Sequence, residues 1–371
     1  MFLLSSFFFF YFAGVGVYIV FLPKILQTLS YSPYQIGIIF SIVPLMRFLT
    51  PFLFLKIFSL NKKVFQISLF VSLVSVIALF FTIKSYYLLI LNIAVFGVSN
   101  GLIMPYIDSI ALEKLKKHYG KSRLWGSLGF MVISLVLARY LSDYRVGLYF
   151  YLFISLVIAI TGYAISKNSK DFDLGKDEKR SSKFSLLKNW RFWVAILLLQ
   201  ASFGFFYNFF TIYETSHGIS LEQVSYLWSV SIICEVLMFR FQSRILHFNL
   251  LNIIRFSIFI TVLRWFLLYL FPTSLYVSYF TQTFHAISFA LFHTSTITYL
   301  QRLYSQKKLA MQFYHGISYG LGGFVGSILA GYFYGKYLFL VAALIAASAF
   351  FILSISQGNP FLSRFKKLFI R

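Results

Sequence analysis

Charge is scarce in this chain. Only 12% of its 371 residues are Asp, Glu, Lys or Arg, where a soluble domain carries roughly 25%. Acid is scarcer still: 10 Asp and Glu stand against 33 Lys and Arg, a net charge of +23. The single cysteine, Cys234, lies inside an apolar run, which excludes a disulfide framework and cysteine-based metal sites. Neither an HExxH nor a Walker pattern occurs, which removes the motifs of zinc peptidases and ATP-driven pumps. Histidine or carboxylate pairs at ligand spacing are missing as well. Neither a metal nor a cofactor is expected.

What remains is apolar. Hydrophobic residues make up 59% of the chain, mean hydropathy is +0.80, and there are 48 Phe and 26 Tyr. No soluble fold could hide so much apolar surface, whereas aromatic belts and lipid-facing helices use it. Runs of roughly 20 apolar residues, each long enough to cross about 30 Å of hydrocarbon, recur twelve times: 3–22, 34–55, 64–83, 86–110, 123–142, 146–166, 191–213, 223–244, 250–270, 275–299, 309–333 and 337–356. The first run has no basic leader and no small-residue cleavage site, so it reads as a retained helix. The expectation is an all-α polytopic membrane protein.

Lysine and arginine explain the charge. Alternate connections are rich in them: Lys56, Lys62 and Lys63; Lys114 to Arg123; Lys167 to Arg191; Arg240 and Arg244; Arg302, Lys307 and Lys308; then the tail. The opposite connections hold only Lys24, Lys84, Arg139, Arg145 and Lys336. The rich side should be cytoplasmic, with both termini inside. This bias also replaces nucleic acid as the reason for the basic balance. The expected location is a plasma membrane, the inner membrane in a bacterium, with the lipid bilayer as surroundings and a monomer as the assembly.

One long polar connection, 167–190, divides the chain into 1–166 and 191–356, six helices each, with a basic tail at 357–371. A shift of 188 residues lays Ser32 and Gln35 on Ser220 and Gln223, Ser41 on Ser229, Leu112 on Leu300, Leu115 on Leu303, and Arg47 on Glu235. The register runs from the second to the fourth helix of each half. Two pseudo-symmetric six-helix halves are the parallel-repeat plan that places a site between them near mid-membrane.

Over its whole length the chain resembles the major facilitator superfamily. The stretches PYIDSIA, YGKSRLWGSLGF, NWRF, SYLWSVSIICEV, LRW and QTFHAISFALFH more narrowly resemble the phenylpropionate permease family and, at greater distance, lactose-permease-type proton symporters. The superfamily's GxxxDRxGRR-like motif appears here only as LKIFSLNKK. It lacks the aspartate, which removes any gating role built on that residue. The resemblance implies the twelve-helix fold, alternating access and proton coupling. It also implies a carboxylate late in helix 4 and an arginine early in helix 5 at the substrate, matched by Asp108 (within a residue) and Arg123. A helix 8 glutamate, helix 9 arginine and helix 10 histidine for proton coupling are matched by Glu235, Arg264 and His285. The second helix 10 carboxylate of lactose permease has no acidic match; Phe289, Phe292 and Thr296 occupy that stretch.

The residues themselves point the same way. Ionisable groups inside a membrane are rare and usually mark a path or a site. Asp108 could accept from a substrate hydroxyl or pair with Arg123. Glu235 reads as the only carboxylate deep in the second half, able to load a proton or to pair permanently with Arg47 or Arg264. Arg47, near mid-depth, needs a partner or an anionic substrate. Arg264 lies in the outer third of its helix, where snorkelling is open to it. His285 and His293 stand eight residues apart, about 80° around a regular helix, too far for one narrow face, though both could border a wide cavity. His293 and His315 read as packing residues. Gln200, Tyr207 and Thr211 form a stripe that lines water or joins helices. Gly320, Gly322, Gly323, Gly326 and Gly331 read as a packing surface. Substrate contacts are expected from Asp108, Arg123, Arg47, Asn100, Tyr207, Asn208 and His285. Proton coupling is expected from Glu235, Arg264, His285 and Asp108. The function expected is secondary active transport, a proton-coupled symport of a small organic solute: an aromatic or other small carboxylate, a sugar or a nucleoside. Proton-coupled efflux by antiport is the alternative. A polytopic membrane enzyme is disfavoured by the short loops.

Overall fold

The computed structural model describes residues 1–57, 60–169 and 185–355. The basic tail and most of the central connection lie outside the described residues. Twelve helices span the described chain, in two halves of six. The first half holds α1 (Phe2–Thr28), α2 (Pro33–Ile57), α3 (Lys62–Thr82), α4 (Tyr86–Leu115), α5 (Tyr119–Tyr140) and α6 (Tyr144–Lys167). The second holds α7 (Trp190–Ser216), α8 (Leu221–Phe241), α9 (Leu250–Leu270), α10 (275–303), α11 (307–332) and α12 (Leu338–Ile355). Ten helices are individually long and apolar enough to cross a membrane. The remaining two, α10 and α11, are interrupted by π-helical turns at Ala286–Leu291 and Gly316–Gly322. A third such turn, Val17–Phe21, lies within α1.

The repeat is visible in atomic detail. Ser32 N donates to Gln35 Oε1 at 2.9 Å while Gln35 N donates to Ser32 Oγ at 3.3 Å. The same reciprocal cap opens α8, where Ser220 N reaches Gln223 Oε1 at 3.1 Å and Gln223 N reaches Ser220 Oγ at 3.2 Å. Each box satisfies two backbone donors that a helix start leaves free. The two helices therefore begin in the same way at positions 188 residues apart.

Small residues set how closely the helices approach. A Cβ on Gly129 of α5 would run into Phe9 O of α1, and one on Gly126 would lie 2.7 Å from the Phe12 ring. In the second half a Cβ on Gly326 of α11 would run into Ala201 O of α7, and one on Gly204 would lie 2.7 Å from the Gly326 carbonyl carbon. The pairs α1/α5 and α7/α11 correspond under the repeat. Without hydrophobic driving force between helices in lipid, such close backbone packing holds them together.

The halves meet through two further corresponding pairs, α2/α11 and α5/α8, and through α1/α7. We call the face carrying residues 2 and 355 the terminal face and the other the distal face. Along α2, Pro33, Gly37, Pro44 and Phe48 meet Gly331, Ser327, Gly323 and Gly320 of α11, in that order from the distal end inward. Across α5/α8, Phe130 packs on Trp228 at 5.9 Å between ring centroids. At the distal rim Arg139 Nε donates to Glu222 Oε1 at 3.1 Å, and Tyr226 donates to the same oxygen at 2.9 Å. Arg139 and Glu222 are both exposed, so screening leaves this pair a minor contributor. The glycine contacts close the distal face.

A side chain at Gly37 would sit 2.6 Å from Ser327 O and 2.9 Å from Gly331 Cα. Gly37→Leu should therefore hold the distal face apart. Spin labels at Ser142→Cys and Lys336→Cys, in a Cys234→Ser background, should report a longer distance than in the parent. Reversing the Arg139 and Glu222 charges together should leave that distance unchanged.

Candidate functional site

The buried charges of the second half form one chain of contacts. Arg264 of α9 has no exposed surface. Its Nη1 donates to His285 Nδ1 at 2.9 Å and lies 3.3 Å from Ser288 Oγ; its Nη2 donates to Gln282 Oε1 at 2.7 Å. The guanidinium also lies over Phe206 and Trp265, 4.4 and 4.7 Å from the ring centroids. Ser231 of α8 donates to the same Gln282 oxygen at 2.6 Å. Because a guanidinium only donates, His285 Nδ1 must accept, and the ring proton sits on Nε2. That nitrogen faces Glu235 Oε2 at 3.5 Å. The order Arg264, His285, Glu235 thus links α9, α10 and α8, with the imidazole in one defined tautomer.

Two expectations are corrected here. Arg264 does not snorkel: its polar and aromatic partners hold it inside the bundle. Glu235 pairs with His285, not directly with Arg47 or Arg264.

The histidine spacing is corrected too. His285 stacks on Phe289 (5.0 Å, 5° between planes), and Phe289 stacks on His293 (6.1 Å, 10°). Eight residues would miss one face of a regular helix. The π-helical turn Ala286–Leu291 lies between them, and its extra residue per turn brings the three rings into one column. The π turn carries no strong sequence signal, so a helical wheel cannot show this. The column continues into α11: Tyr314 and Tyr319 hydroxyls lie 3.0 and 2.9 Å from His293 Nδ1, and His315 stacks on Tyr319 at 5.8 Å.

The first half supplies the facing wall. Tyr119 donates to Asp108 Oδ1 at 2.9 Å and also lies against the Arg123 guanidinium. Asp108 and Arg123 are therefore joined through a phenol that no residue pattern singles out, rather than by a direct ion pair. Arg123 sits over Phe12 and Phe8, 4.1 and 5.1 Å from their centroids. Its charge reaches Asp108 on its own side and both Glu235 and His293 on the other. Arg47 is exposed and lies within electrostatic reach of the inward tyrosines Tyr11, Tyr18 and Tyr151. Tyr11 donates to Asn100 Oδ1 at 3.2 Å. These tyrosines also escape sequence reasoning, since no spacing rule separates them from the chain's other tyrosines. Neither Arg47 nor Arg123 has a carboxylate within 4 Å among the described residues.

The α7 residues divide. Tyr207 is half-buried, packed on Phe203 (5.7 Å) and Trp228 (6.3 Å), within electrostatic reach of Glu235 and Arg264. Asn208 is buried and donates to Ser327 Oγ at 2.6 Å, which ties α7 to α11 and occupies the amide expected at the substrate. Thr211 accepts from Trp228 Nε1 at 3.1 Å, and Gln200 is buried against Gly322. The expected stripe is mostly helix-joining. Glu235 is also not the sole deep carboxylate of this half, because Glu214 has no exposed surface. Two stretches spell GxSxG, 97–101 and 316–320, but both lie within helices, and Ser99 Oγ is bonded to Val95 O at 3.0 Å. Neither forms the strand-to-helix elbow a nucleophilic serine needs.

Two pseudo-symmetric six-helix halves with charged walls facing one another define a membrane transporter. A family model described as the MFS_1-like family matches residues 1–344, and the chain belongs to that family, within the major facilitator superfamily. A probable 3-phenylpropionic acid transporter of Escherichia coli is 24% identical over 361 residues, covering 93% of this chain and 95% of that protein. A maltose permease of Geobacillus stearothermophilus is 26% identical over 265 residues, covering 67% and 65%. The crystal structure of the nucleoside transporter NupG superposes with a TM-score of 0.77 at 18% identity, covering 95% of this chain and 97% of that one. These relatives and neighbours are transporters, not enzymes.

Removing the guanidinium would strand His285 and Gln282 without their charged donor. Arg264→Ala should lower unfolding stability by about 3–5 kcal/mol. Denaturant or thermal unfolding in detergent would show it. The same substitution at exposed Arg240 should cost far less.

Proposed function

We propose that the chain is a proton-coupled symporter of a small aromatic carboxylate, working by alternating access. The observation that carries this reading is the pairing across the bundle: two arginines without a carboxylate partner on one wall, and the Glu235–His285–Arg264 chain on the other. An exposed arginine within a membrane bundle, with no carboxylate beside it, calls for an anion, and guanidinium binds carboxylate in a bidentate fork. Arg47 supplies that fork, with Tyr11 and Asn100 beside it. Tyr207, Phe203 and Phe289 offer faces for an aromatic ring. Asp108 and Arg123, bridged by Tyr119, form the second polar contact. The similarity to a probable 3-phenylpropionic acid transporter supports this class. Sugars and nucleosides are the alternatives to be tested.

Coupling follows from Glu235. Among the described residues the one Lys, Arg or His nitrogen within 4 Å of its carboxylate is His285 Nε2, on a neutral imidazole whose tautomer is held by Arg264. Proton binding removes the Glu235 charge, weakens its contact with His285 and leaves Arg123 free for the substrate anion. Proton release restores the contact with His285. The distal closure supports a state open towards the terminal face. The lysine and arginine bias makes that face cytoplasmic, with both termini inside, in a plasma membrane, and with a monomer as the working unit.

In proteoliposomes, 3-phenylpropionate added outside should drive proton uptake, while maltose and uridine should not. Arg47→Gln should raise KM about tenfold or more, the worth of a charged hydrogen bond. Glu235→Gln should abolish substrate-driven proton uptake while leaving counterflow exchange of labelled substrate. Proton movement outward on substrate entry would replace symport by antiport. Uptake unchanged in Glu235→Gln would reject the coupling role.

A further inference from the structure

Glu214 stands apart from everything described above. It lies in the last turn of α7, at the distal end, fully buried. Its carboxyl has one hydrogen-bond partner among the described residues, the Ser278 hydroxyl of α10, 3.2 Å from Oε1 and 3.1 Å from Oε2. Among those residues no Lys, Arg or His nitrogen lies within 4 Å of it. The titratable groups around it are mainly tyrosines. Tyr213 is next to it on α7 and donates to Leu268 O of α9 at 3.3 Å. Tyr269 follows on α9, and Tyr334 lies between α11 and α12. His217, in the turn after α7, has Nδ1 2.8 Å from Tyr213 O. Deeper along α9 and α10 come Arg264 and His285, whose donors are already directed to Gln282, Ser288 and Glu235.

An ionised carboxylate in such a place costs several kcal/mol or more, and one serine hydroxyl does not repay it. A proton on the carboxyl would resolve this: it would then donate to Ser278 or accept from it, with no charge buried. The closing contacts of the distal face include α1 against α7. Parting the halves there is the motion that brings water beside the last turns of α7.

We propose that Glu214 and Ser278 form a second proton-binding site, separate from the Glu235–His285–Arg264 cluster, that holds a proton while the distal face is closed and gives it to water when that face opens. The proposal does not rest on coupling through Glu235; a protein that moved its solute without protons would still carry this site. Its consequence is a conformational preference set by acidity. One proton of difference between two states changes their ratio by at most about tenfold per pH unit, with acid favouring distal closure and alkali favouring opening.

Infrared spectroscopy of the full chain in nanodiscs tests this directly. The carbonyl band of a protonated carboxyl should be present at neutral pH, be lost in Glu214→Gln, and persist in Glu235→Gln. Ser278→Ala keeps the acid and should shift the band towards that of an unbonded carboxyl. In Gly37→Leu, which holds the distal face apart, the band should be lost at neutral pH and return only as pH falls into the ordinary carboxylate range. An identical spectrum for the parent and Glu214→Gln would overturn the proposal. So would a band in Gly37→Leu that ignores pH. Should Glu214→Gln fail to fold, the shift in Ser278→Ala and the bleaching in Gly37→Leu decide the matter.

Discussion

A charge removed from water must find partners, and that requirement organises the second half of this molecule. Arg264 is the extreme case. One guanidinium with no exposed surface gathers His285, Ser288, Gln282 and two aromatic faces. Through Gln282 it reaches Ser231 of α8, and through His285 it reaches Glu235. Three helices are thereby fixed around one cation. Because guanidinium offers donors only, it also decides which nitrogen of His285 carries the proton. The first half handles its charges differently: Arg123 lies on aromatic faces and Arg47 is exposed, and neither has a carboxylate within 4 Å among the described residues.

Around these charges the scaffold is built on absence of side chain. Gly126 and Gly129 seat α1 on α5, Gly204 and Gly326 seat α7 on α11, and Gly37 and Gly331 bring the halves together. Corresponding helices use corresponding devices, and the capping boxes at Ser32 and Ser220 repeat as well. The interface between halves is closed by contacts that fit closely but involve little charge. Such contacts can part without leaving a buried ion behind, which suits the alternating access proposed for this chain.

Much of this is legible in the sequence. Twelve apolar runs, the shift of 188 residues and the central polar connection lead to the fold, because hydrocarbon imposes helix length and the repeat preserves register. Glu235, Arg264 and His285 are recognisable as a set, and they meet. The geometry of the site is less legible for identifiable reasons. His285 and His293 share a column only because a π turn resets the helical phase. Asp108 and Arg123 are bridged by Tyr119, one tyrosine among 26. Depth along the helix assigns Arg264 to the surface, a coordinate that ignores which way the side chain faces. Asn208 has the chemistry of a substrate contact, yet its amide is bonded to Ser327. Glu214 can be read from the sequence as one of the polar residues of α7, but its place near a helix end gives no sign that it is buried.

The π turn in α10 has a consequence for how this chain should be compared with others. It works as a phase shifter. Ser278 and Gln282 on one side of Ala286–Leu291, and His293 and Thr296 on the other, follow two different helical wheels offset by about one residue, close to ~100°. A relative lacking that residue would carry an ordinary helix here, and its polar positions on the two sides would map to this chain by different offsets. A one-residue gap inside a membrane helix, normally avoided in alignment, is the correct description at this point.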